Sequence, residues 1–482
     1  MAIDRDPGGW DPSYNRLDGQ AWSAATAIYD PLAAYGVDGT IHPFLAAGID
    51  HDPDHTRWTI RVRPDVTFVD GKPCDAAAIA ANLQDRRTSP LHAAAFAPVT
   101  SIEVAPTGDA VVVSMAGPYP GFAETLTGPA GLVVAPAALG PFGTPRMAAT
   151  TPYGSGPFVL DSYEPGSSLR TRRNPDYWQR DGASNRLPYL QSIEFRRLAA
   201  PPFRDAALAT GGFDVVIGSA PQADDRCQSG YYVCTASARQ GVVTAVAFDT
   251  AKGPFADPRL RRAAVAATDR ERFPRAQSVE RADGPQAPGS VAGNPPAAVH
   301  DPERARRLVD DATGGTRVAV TLTGTDTDAH RATATALQQQ WEAAGFDVTV
   351  ALTSPAAALA AGDAALVEVG ERVGHQQLHD LFHSTGTTGF APTNVARWSD
   401  PVTDQALAAA PTAGYQALWD RVADQAPYLW LNRGPLTFSA PEDLITVNNR
   451  NGGEPWRPLP DGTRGDPLTW GGPMLTTAWK QW

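Results

Sequence analysis

Apolar and polar residues exchange places regularly between Trp58 and Leu83. Trp58, Ile60 and Val62 alternate with Thr59, Arg61 and Arg63, the period of a half-buried strand. Pro64-Asp65 interrupts the run as a turn, and Val66 and Phe68 restart it. Asp70-Gly71-Lys72-Pro73 is a second tight turn, in which Gly71 is free to take a positive φ. Asp75 can then cap a helix that carries Ile79 and Leu83 one turn apart on one face. Farther on, Arg317-Val-Ala-Val-Thr-Leu322, a helix over 329–343 and Phe346-Asp-Val-Thr-Val350 predict a strand, a helix and a second strand. Thr333, Leu337 and Trp341 repeat at four residues and Gly345 stops the helix. Two strands connected in this way pair in parallel. Asp257 and Asp269 flank another helix, with Leu260, Ala264 and Ala267 on its face. Strands and helices alternate throughout, which predicts a mixed α/β (α+β) fold.

Length refines this picture, because 482 residues exceed one ordinary core and predict two or three domains. A hydrophobic content of 42% with 12 Trp supports a folded chain. Its many Gly and Pro are scattered, and only the stretch from Ala282 to Ala298 concentrates them enough to be expected flexible. The net charge of −12, without a basic cluster, argues against nucleic acid and anionic membrane surfaces as partners. Lysine stands only at Lys72, Lys252 and Lys480, so nearly every cation is Arg, a compositional bias with no evident functional weight. No run of about 18 apolar residues is present to span a membrane.

The order of residues in the Trp58–Leu83 unit resembles the signature of the family 5 extracellular solute-binding proteins, the dipeptide, oligopeptide and nickel receptors of bacterial ABC importers. Trp58, Arg63, Val66, Phe68, Asp70, Gly71, Pro73, Ala77 and Ile79 stand in the family's places, and Ala78 replaces its second Asp. Ala27-Ile-Tyr-Asp-Pro-Leu32, Pro43-Phe-Leu-Ala46, Pro152-Tyr-Gly-Ser-Gly-Pro-Phe158 and Arg173-Asn-Pro-Asp-Tyr-Trp178 continue the resemblance in order. So do Ala247-Phe-Asp-Thr250 and the segment from Pro254 to Ala263. The match is weakest over 277–299 and 367–374.

The resemblance implies a two-lobed periplasmic-binding-protein-like fold with an inserted sub-domain in lobe I and a two-strand hinge. Lobe I would take 1–42, the inserted sub-domain 43–154, lobe I again 155–243, lobe II 244–431, and a lobe I tail 432–482. The crossings fall near Val242–Phe248 and Pro427–Asn432. It implies a binding component that captures a peptide or peptide-like molecule between the lobes and delivers it to ABC permease subunits, as a monomer, with no cofactor. The N-terminus lacks the apolar core of a signal peptide. The resemblance nevertheless implies an extracytoplasmic protein, secreted or lipid-anchored, read here as trimmed of its leader.

The same resemblance places candidate ligand groups. Asp18, Gly19, Gln20 and Trp22 stand in the loop of one wall, where Trp22 is equally a core residue. His92, in Ser89-Pro-Leu-His92, stands in a second wall, and Trp430 in the crossing strand of a third. Peptide-binding relatives pair an Asp with the peptide ammonium. This chain has Glu368, Glu371 and Arg372 in the corresponding stretch, as candidate ammonium and carboxylate partners or as surface charges. Asn394 resembles a family Asn that often lies near the ligand.

Other chemistry is sparse. The sequence has no Gly-x-Ser-x-Gly elbow, no His-Glu-x-x-His and no phosphate-binding loop ending in Gly-Lys-Ser/Thr. Ser155 has no partner His nearby in sequence, so a two-lobed hydrolase is the remote rival. His375, His379 and His383 share one helical face, either as a solvated face or as a metal-chelating one. A receptor or sequestering protein for a natural product, a metal chelate or haem is therefore the alternative function. Cys227 and Cys234 close a short loop that fits a disulfide or two free thiols equally, and the implied export favours the disulfide. Cys74 is expected to be a buried, unreactive thiol.

Overall fold

In the computed structural model the alternating run at Trp58 is the strand Arg57–Val62. The structure describes residues 1–3, 8–15, 17, 20–36, 40–140, 151–180, 184–198, 210–219, 232–273, 280–287, 289–353, 362–370, 374–387, 394–441, 444–446 and 478–480. Packing divides the chain into two units. One comprises Met1–Gln240, Arg372–Gln376 and Pro435–Trp482, the other Gly241–Glu371 and Gln377–Gly434.

In the first unit, Arg57–Val62 lies between Ala46–His51 and Ala110–Met115 in an antiparallel sheet completed by Val99–Val104. Trp58 faces Val113 and Ile60 faces Val111, so the period-2 pattern delivers one apolar face to a core. The two turns form as expected, with Asp65 at φ 62° and Gly71 at φ 81°. The Asp75 carboxylate accepts from Ala78 N at 2.9 Å and starts the helix Ala76–Thr88, which buries Ile79 and Leu83. The same helix also buries Asn82. Its amide donates to Ala78 O and Val134 O and accepts from Val134 N, so the polar group is satisfied inside the core.

The resembling segments of this unit meet at one carboxylate. Asp30 is fully buried and accepts from Ser155 Oγ (3.2 Å), Tyr177 OH (3.2 Å) and Trp178 Nε1 (2.8 Å). The Arg63 guanidinium lies 4.7 Å from the Trp178 ring centroid and donates to the carbonyls of Phe44 and Ala46. Gly154 and Gly156 follow from the same approach, since a Cβ on either would run into the Ile28 carbonyl. Beside this hub, Phe158–Glu164, Ser168–Arg173 and Ser192–Arg197 form an antiparallel meander, and Ala2–Ile3 joins its edge in parallel.

In the second unit, Val318–Thr325 and Phe346–Thr353 pair in parallel from Val318 opposite Phe346 onward. The helix Asp328–Ala343 joins them and buries Leu337 and Trp341. Gly345, at φ 109°, ends the crossover. The strand Ala364–Gly370 lies parallel to Val318–Thr325 and antiparallel to the end of Tyr232–Phe248. Asp257 caps the helix Pro258–Ala267, whose Leu260, Ala264 and Ala267 are buried as the pattern predicts. Arg261 of that helix is buried too. It donates to Gln425 O and Phe255 O, and burial brings its pKa down to about 10.

The structure corrects the expectation of flexibility between Ala282 and Ala298, for the described residues of that stretch. Gln286 and Asn294 bond reciprocally, Trp419 Nε1 donates to Ala292 O, and Arg270 donates to Ala282 O and Ala298 O. Carbonyls that no strand partner takes are taken by buried side-chain donors. Cys74 is buried and its thiol pKa is pushed up by desolvation. Cys227 lies outside the described residues, as does the side chain of Cys234, so the disulfide expectation falls outside them.

Asp30→Ala removes the acceptor of three donors and should cost about 3 kcal/mol in urea unfolding. Asp161→Ala, at an exposed position, should stay within about 0.5 kcal/mol. Equal small losses would show that the carboxylate does not organise the unit.

Candidate functional site

In the first unit, the expected wall at Ser89–His92 meets a loop, 11–15, that the sequence did not single out. The loop at 11–15 is stapled to the end of the helix Ala76–Thr88. Ser89 Oγ donates to Ser13 O at 2.8 Å, and His92 Nε2 lies 2.9 Å from Pro12 O. Buried Arg86 binds Asp85 at 2.7 Å, donates to Leu132 O at 3.0 Å and meets the Ser13 hydroxyl. His92 is itself buried, at the start of the short helix Ala93–Phe96. Gln376 Oε1 accepts from Ala95 N, which ties the segment after Arg372 to the same region. Trp22 lies in the unit's apolar core with Trp10, Leu17 and Ile28. Gln20 begins the helix Gln20–Ile28, while its side chain, Asp18 and Gly19 lie outside the described residues.

In the second unit, the strand Tyr428–Pro441 carries Trp430 stacked on Tyr428, with centroids 5.0 Å apart. Burial pushes the Tyr428 phenol pKa up, so it stays a neutral donor to Leu381 O. Arg433, farther along the same strand, donates to Gln286 O, and Gln286 Nε2 bonds Gln377 Oε1 at 2.6 Å. Asp249, in the Ala247–Thr250 segment, receives Arg397 Nη1 at 2.8 Å. Asn394 is buried, and its amide nitrogen donates to His383 O and Trp398 O. It also accepts from Trp398 N, so it folds its own loop. Glu368 sits on the strand Ala364–Gly370 with its side chain 58% exposed and 3.9 Å from His330 Nε2. Glu371 and Arg372 lie outside the described residues.

Sequence reasoning did not find the Asp249–Arg397 pair, the Gln286–Gln377 contact or the Asp400–Arg421 pair. The last is bidentate, at 2.9 Å on each oxygen, and with Thr403 it lowers the Asp400 pKa to about 2. Asp249 stands in a resembling segment and Asp400 opens a helix as Asp-Pro, but neither signal names a partner.

The histidine segment forms the helix His375–Phe382, entered through Gly374 at φ 89°. His379 and His383 stack with centroids 4.2 Å apart, and His375 is buried. His383 Nδ1 accepts from Thr385 N and lies 3.9 Å from Asp404. Among the described residues, no group of three or more His, Cys, Asp or Glu is placed to hold a metal ion. Among them, too, no helix is long and apolar enough to cross a membrane. Desolvation, and then His383, lower the His379 pKa to about 4, so this ring is neutral at physiological pH.

The family model described as bacterial extracellular solute-binding proteins, family 5 Middle, matches residues 40–396. Among curated proteins, the glutathione-binding protein GsiB of Salmonella paratyphi A (strain ATCC 9150 / SARB42) is 30% identical over 201 residues, covering 41% of this chain and 38% of that protein. The nickel-binding periplasmic protein of Escherichia coli (strain K12) is 26% identical over 199 residues, covering 41% of this chain and 37% of that one. The chain therefore spans well under half the length of these curated relatives. Among solved structures, NikZ from Campylobacter jejuni in complex with Ni(L-His) superposes with a TM-score of 0.77 at 17% identity, over 92% of this chain and 94% of that one. DppA from Helicobacter pylori in complex with peptide STSA gives 0.75 at 19%, over 100% and 97%. The fold is the mixed α/β, two-lobed binding-protein fold of these structures.

Because the folded chain holds His379 neutral while the unfolded chain protonates it near pH 6.5, stability should fall as pH drops from about 6.5 to about 4, by about 2 kcal/mol. His379→Gln should flatten that part of the urea-unfolding profile. An unchanged slope would mean that the ring titrates alike in both states.

Proposed function

The chain belongs to the bacterial extracellular solute-binding proteins, family 5, and from that membership we propose that it is the substrate-binding component of an ABC importer. It captures a peptide or peptide-like small molecule and delivers it to permease subunits in the membrane. It works outside the cytoplasm, secreted or lipid-anchored, as a monomer and without catalysis. The observation that carries this reading is the family match across 40–396, supported by a fold shared over nearly the whole chain with binding proteins.

Binding is the chemistry on offer. Glu368, exposed near the end of the strand Ala364–Gly370, is the carboxylate for a ligand ammonium, with Glu371 close behind it in sequence. Arg372 receives a carboxylate, whereas Trp430, expected to face the ligand, is buried with Tyr428 in an apolar core and backs the strand instead. Of the expected first-unit residues, Asp18, Gly19 and Gln20 remain candidate contacts from the resemblance, while buried His92 is spent on Pro12 O and holds the 11–15 loop. Asn394 acts by holding the loop that carries Arg397.

A non-peptide ligand is the second reading. Solved proteins of similar fold hold Ni(L-His) or agropinic acid, and this chain lacks the Asp that peptide-binding relatives are expected to carry.

Native followed by denaturing mass spectrometry of protein purified without refolding should release a bound small molecule. For an emptied protein, a peptide pool at about a hundred times Kd should add about 2.7 kcal/mol of stability and raise Tm by several degrees. Glu368→Gln should weaken binding of peptides with free N-termini about tenfold or more and leave N-acetylated peptides unaffected. A protein that releases nothing and gains no Tm with peptides or with metal chelates would overturn the transport reading.

A further inference from the structure

His330 lies in the first turn of the helix Asp328–Ala343, where its own backbone N–H is capped by Thr327. Its side chain is 6% exposed, and among the described residues neither ring nitrogen finds a hydrogen-bond partner. A buried imidazole without a partner carries the cost of its lost hydration. The surroundings explain what it faces. The strand Val318–Thr325 presents Gly324 to the ring, where any Cβ would lie 3.4 Å from Nδ1. Leu352 from Phe346–Thr353 and Leu366 from Ala364–Gly370 close on the same spot. On its own helix and the loop ahead, Asp326 and Asp328 pair with Arg331, at 2.7 and 3.9 Å. Among the described residues, Glu368 is the charged group within 4 Å of the ring, at 3.9 Å from Nε2.

That distance is too long for a hydrogen bond and short enough for an ion pair once the ring is charged. Histidine is the side chain that ordinarily changes charge between about pH 5 and 8. The helix N-terminus disfavours an imidazolium there, so a carboxylate is the group that can stabilise one.

We propose that His330 is a positioning residue that controls, by its protonation, whether the Glu368 carboxylate is available to a cationic group of the ligand. With the ring neutral, Glu368 is an unengaged anion near the strand end and receives the ligand ammonium. With the ring protonated, Glu368 is drawn into an ion pair with His330 and the ammonium loses its partner. The ligand is thus held at neutral pH and released in acid. The proposal rests on Glu368 being the ammonium partner, and its test separates the two ideas.

The full chain, His330→Gln, Glu368→Gln and the double variant are unfolded in urea at about pH 8 and about pH 5.5. Coupling between the two substitutions should be absent at the higher pH and about threefold in the unfolding constant at the lower. Equal coupling at both values overturns the proposal, whatever the ligand. Calorimetric binding of trialanine and N-acetyl-trialanine is then measured over the same range. Trialanine should bind about tenfold more weakly at about pH 5.5 than at about pH 8 in the wild type and equally in His330→Gln. His330→Lys, charged throughout, should bind it weakly at both. Wild-type affinity for trialanine that does not change with pH overturns the proposal. If coupling appears and no variant binds trialanine, the ion pair stands and the peptide reading falls.

Discussion

A carboxylate with no access to water organises the first unit. An ion as small as the Asp30 carboxylate is costly to bury unless its oxygens are filled with donors. Here the donors come from far along the chain, Ser155 from one turn and Tyr177 and Trp178 from another. Arg63, from the signature strand and turn, packs on Trp178 and takes two carbonyls beside Leu45. Four segments that look unrelated in sequence are thereby fixed to one point. The glycines flanking Ser155 are small because that point lies against the Ile28 backbone.

The second unit solves a different problem with arginine. It carries a Gly- and Pro-rich stretch whose carbonyls have few ladder partners. Arg270 reaches Ala282 O, Ala298 O and Asp283, Arg433 reaches Gln286 O, and Arg261 reaches Gln425 O and Phe255 O. A guanidinium suits this work because it presents several donors in a fixed plane and is only weakly hydrated. The arginine excess that reads as a compositional bias is therefore partly structural. Burial lowers the pKa of Arg261, Arg270 and Arg433, yet each remains a cation at neutral pH with its field spread over backbone dipoles.

The candidate binding groups stand on the ends and edges of these frameworks. Trp430 is the exception, buried beside Tyr428 with its own carbonyl held by Arg270. Glu368 pairs with Thr244 two residues before the end of a strand whose Ala364 and Ala365 are paired on both sides. The loop of Asn394 and Arg397 is closed by the Asn394 amide and by the Arg397–Asp249 ion pair. A receptor gains from such placement, because rigid backing leaves less ordering to be lost when a ligand arrives.

The sequence by itself determined the local elements and the family. Alternation at Trp58–Val62, capping by Asp75 and Asp257, and the strand-helix-strand unit around Trp341 are consequences of neighbours a few residues apart, and periodicity reports such neighbours directly. It also named the residues of the hub motifs without revealing that Asp30 joins them. Only the tertiary structure decided what those side chains meet. It put Trp22 in a core, turned Asn394 and His92 toward backbone carbonyls, folded 282–287 and 289–298 with distant donors, and set His330 beside Glu368. The reason is one of range. Burial along a strand or helix is written in spacing, whereas the partner of a buried polar group is chosen by where remote segments converge, and a chain read in order carries no mark of that convergence.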